Sequence, residues 1–291
     1  MVCRTCGVRL RTFILAISGV LLTVLGIYLI ASSPSNNRDW ASDQKLLSTV
    51  SFEGDLVHIS NVRNISYITD VGVDGDNYYN KSIPRYYNRT DDLSTLKSAD
   101  IIIDHFSSIY GIAHTFLTFN FDDGTHIVIS VEARREKGEF FSPVLGVLHQ
   151  YELVYVIADE QDEIKLRAFT RNDSVYMYPL NLSRSQTREL YVSMLKRSQH
   201  LQDTPEFYNT LDNNCMTNIL EPLNTISPRA IPVGIDTILP GYSDGVFYNN
   251  NMIDTKLSLK SIKKASYITD ISAQCNVSND FSSCIRRLNS P

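Results

Sequence analysis

Residues 13–31, FILAISGVLLTVLGIYLIA, form 19 consecutive positions with no ionisable group except Tyr28. A helix of that length crosses about 30 Å of hydrocarbon, so the run reads as a membrane span and divides the chain in two. A cleaved secretory signal would have a shorter apolar core and a small-x-small cleavage site. Here the one such pair, Ala31 and Ser33, is followed by Pro34, so an uncleaved single-pass helix is expected. Arg4, Arg9 and Arg11 precede the run, while the far side opens on the mixed Arg38, Asp39 and Asp43. The positive-inside bias then gives a cytoplasmic tail over 1–12, a transmembrane helix over 13–31 and a domain over 34–291 on the opposite side of the bilayer.

That topology assigns the cysteines to compartments. Cys3 and Cys6 fall on the cytoplasmic side and read as incidental thiols, whereas Cys215, Cys275 and Cys284 face an oxidising space. Cys275 and Cys284 are close enough in sequence to close a small disulfide loop, which leaves Cys215 single. With 27 Lys and Arg against 32 Asp and Glu the net charge is −5, so nucleic acid is not an expected partner. At 43% apolar and 20% charged the chain is that of a folded protein, and no Ser/Gly linker divides the outer region into two domains.

Within that region the patterns are those of an α+β fold with antiparallel strands. Strands are expected at 55–60, 64–68 and 101–104, with a long loop over 74–92. AHTFLTFNF, DDG and THIVISVEA (113–133) form a hairpin with Gly124 in the left-handed position of a three-residue loop. A second hairpin is expected between 150–159 and 163–169, turning at Glu160 and Gln161. Ser183 and Gln186 make a capping box ahead of a helix that buries Leu190, Tyr191, Met194 and Leu195.

Candidate chemistry centres on TLDNNCMTNIL (210–220). Asn213 or Asn214 caps a short helix that begins at Cys215, where unpaired amides and the helix dipole favour a thiolate and an oxyanion. Cys215 is then either a nucleophile or an ordinary buried cysteine. Of the six histidines, His114 is the best placed to act as a base. A three-residue loop makes paired positions of the hairpin sum to 246, which sets His114 opposite Glu132 on the face shared by Ser130 and His126. A carboxylate or second imidazole there would orient the ring. A two-residue loop reverses the parity, and His126 and Glu132 then become surface positions of a solvated strand. No zinc-type spacing is present, so neither a metal nor a cofactor is expected.

AHTFLTFNFDDG, ISVEARREKGEFFSPVLGVLHQYELVYVIADEQD and PEFYNTLDNNCMTNIL, taken in order over 55–255, resemble the Lnb N-terminal periplasmic domain family of bacterial envelope proteins. The resemblance implies a periplasmic domain at the bacterial inner membrane. It also implies transfer of an acyl chain from a phospholipid donor to the free α-amine of a lipoprotein acceptor. The order His then Asn-Cys, with His114 and His126 twelve residues apart, is similar to permuted papain-like hydrolases and acyltransferases such as lecithin-retinol acyltransferase. In those a hairpin carries the base and the cysteine opens a helix. The catalytic set on this reading is Cys215, His114, Glu132, His126 and Asn214. Arg134 and Arg135 either end a solvated strand or hold a lipid phosphate. Two other activities remain: a cysteine peptidase or amidase on cell-wall peptides, and a non-catalytic envelope binding module.

Overall fold

The computed structural model describes residues 11, 13–20, 22–23, 26, 32–67, 84–228, 230–276, 278 and 280–289. Two compact units are distinguished, Met1–Ser35 and Asn36–Pro291. In the first, backbone is helical at 11, 13–20, 22–23 and 26. The expectation of a transmembrane helix over 13–31 is corrected here: among the described residues no helix is long and apolar enough to cross a membrane. The longest continuous piece, 13–20, rises only about 12 Å at 1.5 Å per residue. Positions 21, 24–25 and 27–31, together with Cys3 and Cys6, lie outside the described residues.

The second unit is built on one eight-stranded sheet in the order β1-β2-β7-β6-β5-β4-β8, with β3 also paired to β2. Its strands are β1 (Thr49–Glu53), β2 (Leu56–Arg63), β3 (Tyr86–Asp92), β4 (Leu96–His105), β5 (His114–Phe121), β6 (His126–Arg134), β7 (Glu152–Ala158) and β8 (Ser174–Pro179). Every pairing is antiparallel except the short parallel contact between β2 and β7 at Arg63 and Ala158. The helices are α1 (Pro143–Val147), α2 (Glu160–Lys165), α3 (Arg184–Asp203), α4 (Cys215–Ile226), α5 (Ile235–Ile238), α6 (Ser243–Asn249), α7 (Leu259–Ala265), α8 (Thr269–Cys275) and α9 (Phe281–Asn289).

Alternation along the central strands sorts the sheet into two covered faces, because successive strand side chains point to opposite sides. Odd-numbered residues such as Ile101, Leu117, Ile129 and Tyr155 pack with Leu190, Tyr191 and Leu195 of α3 and Ile219 and Leu223 of α4. Burying each such side chain is worth about 1.5–3 kcal/mol. Even-numbered Ile102, Phe116 and Val128 pack instead with Ile164 of α2, Ile268 beside α8, and Phe281 and Ile285 of α9. Cys275 and Cys284 are joined in a disulfide that ties α8 to α9 on this side, and Cys215 remains a free, buried thiol.

The β5–β6 hairpin takes the three-residue loop. Gly124 has φ +81°, the Phe121 amide bonds the Thr125 carbonyl, and the pairs run from Asn120 with His126 to Phe116 with Ser130. The capping box of Ser183 and Gln186 opens α3. Three local expectations differ. The stretch 163–169 is no second hairpin strand but belongs to α2 and a π-helical turn over Leu166–Thr170. Glu160, Asp162 and Glu163 in its first turn suit a helix N-terminus. The loop expected over 74–92 contains β3, and the strand expected over 64–68 gives way to irregular backbone after Arg63, with an isolated bridge at Ser66 in its place. Residues 68–83 lie outside the described residues. 

Candidate functional site

α4 carries the cysteine, and its start is fixed by Asn214. The Asn214 Oδ1 accepts from the amides of Met216 (2.9 Å) and Thr217 (3.0 Å), while Thr217 Oγ1 accepts from the Asn214 amide (2.9 Å), a reciprocal cap. Asn214 Nδ2 is held by the Thr210 carbonyl at 2.8 Å. Cys215 therefore begins the helix with its thiol buried against β5, where the amide and hydroxyl of Thr115 meet the sulfur. Burial pushes the thiol pKa up, and the Thr115 and α4 amides pull it back only in part. The helix dipole alone would favour a thiolate, but desolvation wins, and the resting group is the neutral thiol.

His114 opens β5 one residue before Thr115. Its ring stacks on Phe116, on the sheet face opposite the α4 core, and its Nε2 lies 2.8 Å from Ser130 Oγ. Ser130 in turn donates to Glu132 Oε1 at 3.0 Å. Proton accounting fixes the tautomer. The hydroxyl has one hydrogen and gives it to a carboxylate, so His114 must donate through Nε2 and keep its lone pair on Nδ1. That Nδ1 has no hydrogen-bond partner among the described residues. Burial, then the positive charge of Arg167, holds the imidazole pKa down at about 3, although Glu132 opposes the shift. His114 is accordingly neutral, with the Nδ1 lone pair unshared.

Glu132 is the fixed point of this chain. Burial would raise its pKa, but Arg167 outweighs that, with Arg63 and His114 behind it, and the carboxyl lies well below its usual range. Arg167 Nη2 reaches Glu132 Oε1 at 2.8 Å and Gln44 Nε2 reaches Oε2 at 3.0 Å. Arg167 also pairs with Asp104 (3.2 Å) and Glu163, and Glu163 pairs with Arg63, so a buried line of charges runs beneath the sheet from β2 to the histidine. Burial raises both Asp104 and Glu163 to about 7.

Cys215, Asn214, His114, Glu132 and Arg135 all line one cavity of about 540 Å³, within the roughly 300–1,000 Å³ of small-molecule sites. Its other walls are largely apolar: Phe106, Ile112, Phe140, Phe141, Ile238 and Leu239. Every lining residue except Gln44 falls between Asp104 and Pro240. Residues 82–241, more than half of the chain, match the model of the Lnb N-terminal periplasmic domain. The chain belongs to this family. The family description makes the main domain periplasmic and the protein an Lnb-family envelope protein. The match is narrower than the 55–255 expected from resemblance, but it takes in Cys215 and His114. No curated protein matches the chain. No solved structure matches it either, so the papain-like likeness gains no structural counterpart.

Two of the residues expected at the site of this Lnb-type domain are elsewhere. His126 shares the parity of His114 but lies at the far end of β6, where Nδ1 meets Asn120 Oδ1 at 2.7 Å beside the Arg286 and Glu160 pair. Six residues of strand, about 20 Å, separate it from Glu132, so the second imidazole is corrected from an orienting group to part of the α9 contact. Arg134 is also corrected. Its guanidinium bonds the carbonyls of Gln44 and Lys45 and the side chain of Asn36, each at 3.0 Å, and lies over the Trp40 ring. It pins the 36–45 segment and does not line the cavity. Arg135 does line it, with its guanidinium 3.1 Å from Asp43. Arg167, Gln44, Ser130 and Tyr208 were not singled out from sequence. Only the parity of Ser130 with His114 carried a signal, because the others reach the cavity through long-range packing. Among the described residues no group of three or more His, Cys, Asp or Glu side chains is placed to hold a metal ion.

Proposed function

We propose that this domain is a thiol acyltransferase of the bacterial envelope. It takes an acyl chain from a phospholipid ester onto Cys215 and passes it to the N-terminal amine of a lipoprotein. The observation that carries the reading is the shared cavity: a capped-helix cysteine and a histidine with a committed tautomer border one space whose remaining walls are mostly apolar. An apolar cavity of this size suits an acyl chain better than a polar peptide.

In the first half-reaction His114 Nδ1 takes the thiol proton as sulfur attacks the ester carbonyl. The carbonyl electron pair moves onto oxygen, and collapse of the intermediate expels the alcohol, which recovers the proton from His114. In the second half-reaction the acceptor amine attacks the thioester, His114 receives the amine proton, and the departing thiolate takes it back. Ser130 and Glu132 hold the ring in the Nε2–H form throughout and stabilise the transient imidazolium. Of the two arginines expected to hold a lipid phosphate, Arg135 is the one at the cavity wall, beside the Asp43 carboxylate.

The test is direct. Incubation with labelled phospholipid acylates the protein through a hydroxylamine-sensitive bond, and a diacylated lipopeptide with a free α-amine discharges it into a stable amide. Cys215→Ala abolishes the adduct, and His114→Ala slows its formation by about 10²- to 10⁴-fold, the usual worth of a general base. Label that survives Cys215→Ala, or a protein that never acquires label but cleaves cell-wall peptides, overturns the proposal.

A further inference from the structure

We infer that the Tyr208 hydroxyl donates a hydrogen bond to the oxyanion formed when Cys215 attacks an acyl carbonyl, making Tyr208 a catalytic residue. The inference rests on the acyl-transfer reading above and concerns a donor that reading leaves unassigned.

The first turn of α4 is the obvious place to look for oxyanion donors, but its amides are occupied. Asn214 Oδ1 holds the Met216 and Thr217 amides at 2.9 and 3.0 Å, and the Asn214 carbonyl accepts the Asn218 amide at 3.2 Å. Of that turn, the Cys215 and Met216 amides stand at the sulfur, and the second of these is already given to Asn214 Oδ1. Tetrahedral oxyanions are ordinarily held by more than one preorganised donor, so a second group is required. The other polar groups on the cavity wall are engaged. Gln44 Nε2 bonds Glu132, Asn214 Nδ2 bonds Thr210, and the guanidinium groups of Arg135, Arg167 and Arg171 are in ion pairs.

Tyr208 differs from all of these. It lines the same cavity as Cys215 and His114, is only 7% exposed, and its hydroxyl has no hydrogen-bond partner among the described residues. A phenol in a largely buried ring that borders the cavity without a protein partner can give its hydrogen to a ligand atom there. The ring is also well fixed. The Tyr208 amide bonds the Tyr151 carbonyl at 2.9 Å, and Phe141 meets the ring edge-on at 6.0 Å. Gly146 of α1 leaves room on another side, where a Cβ would stand 3.3 Å from the phenol carbon Cε1. Burial, then the Cys215 and Glu132 groups, pushes the phenol pKa well above its ordinary value. Tyr208 is therefore a protonated donor across the range in which the thiol reacts.

The chemistry balances without a change at Tyr208. The sulfur–carbon bond forms, the carbonyl π pair becomes a lone pair on oxygen, and the thiol proton passes to His114. The phenol keeps its hydrogen while sharing it with that oxygen. Collapse re-forms the carbonyl and expels the alkoxide, which takes the proton from His114.

The experiment compares two reactions of the same thiol in the full-length protein. Acylation by p-nitrophenyl butyrate passes through a tetrahedral oxyanion, whereas alkylation by iodoacetamide is a direct displacement and does not. Tyr208→Phe is expected to slow acylation by about 10²- to 10³-fold, the usual cost of one oxyanion donor, and to leave alkylation within about twofold of wild type. Equal acylation rates in wild type and Tyr208→Phe overturn the inference and leave the acyltransferase reading standing, as does a parallel fall in both reactions. A wild-type protein that never acylates at Cys215 overturns the acyltransferase reading and this inference with it. If Tyr208→Phe fails to fold, site-specific replacement of Tyr208 by 3,5-difluorotyrosine keeps the shape and makes the phenol more acidic. The alkaline limb of acylation is then expected to move to lower pH while that of alkylation stays put. An unmoved acylation limb counts against the inference.

Discussion

Arg167→Met isolates the electrostatics that hold the histidine chain in place. Met keeps the apolar stem over Phe116, where the Arg167 guanidinium lies 5.0 Å from the ring centroid, but removes the cation shared by Glu132, Asp104 and Glu163. Taking one partner from a buried ion pair costs about 3–5 kcal/mol, a large part of the roughly 5–15 kcal/mol that holds a typical domain. The loss has a distinctive pH dependence. Asp104 and Glu163 already titrate near 7 because of burial, and removing the cation raises them further. A carboxyl whose folded pKa is raised favours the fold fully below its unfolded value, and that contribution is lost as pH rises through the folded pKa. At pH 5 these two groups carry protons and need no cation, whereas at pH 8 the wild type relies on Arg167. The destabilisation is therefore expected to be smaller at pH 5 than at pH 8 by on the order of 1–2 kcal/mol. Urea unfolding of the full chain, followed by circular dichroism at both pH values, measures it. A loss below about 1 kcal/mol at pH 8, or an equal loss at both, refutes the reasoning. Adding Glu132→Gln to Arg167→Met should recover part of the stability, since it removes a carboxylate left without its main partner.

Asn214→Ala leaves the amides of Met216 and Thr217 without their acceptor and is expected to cost about 1 kcal/mol in the same urea assay; no measurable change would argue against the cap. Alkylation of the unreduced, denatured protein followed by peptide mass analysis should label Cys215 but neither Cys275 nor Cys284. Label on all three would remove the disulfide. Arg134→Leu should lower stability by about 2–3 kcal/mol and hasten proteolysis at 36–45 without altering acylation by phospholipid, because its bonds are to that segment. Loss of acylation at unchanged stability would return Arg134 to the lipid site. Because burial holds His114 near 3, the Cys215 acylation rate should stay flat from pH 5 to 7.5; a titration close to 6.5 would contradict the neutral thiol and imidazole pair.

What was legible in the sequence was the local chemistry. Gly124 after two aspartates fixed a loop length, the loop fixed a register, and the register put His114, Ser130 and Glu132 on one face before any long-range contact was known. Asn214 ahead of Cys215, and Ser183 with Gln186, were legible for the same reason, since a cap is written within four residues. The 163–169 stretch was not, because apolar residues at Ile164, Leu166 and Ala168 satisfy a strand's alternation while the buried acids Asp162 and Glu163 that draw it into α2 find their partner in Arg63, a hundred residues away.

The same distance problem governed the site. Alternation says that even positions of β5 and β6 share a face, but not whether that face meets water, and the polar residues on it suggested that it did. It is covered, by α2 and the Leu166–Thr170 turn near Glu132 and by α9 near His126. That cover changes what each side chain can do. Glu132, which would be a solvated carboxylate on an open strand, becomes a desolvated anion kept ionised chiefly by Arg167 and Arg63, and so a fixed acceptor for the Ser130 hydroxyl. His126, identical in type and parity to His114, meets Asn120 instead and is removed from the chemistry by its position along the strand. The difference between the two histidines is therefore not in their local sequence but in which covering helix each one faces, and a helix supplies that information only once it has docked.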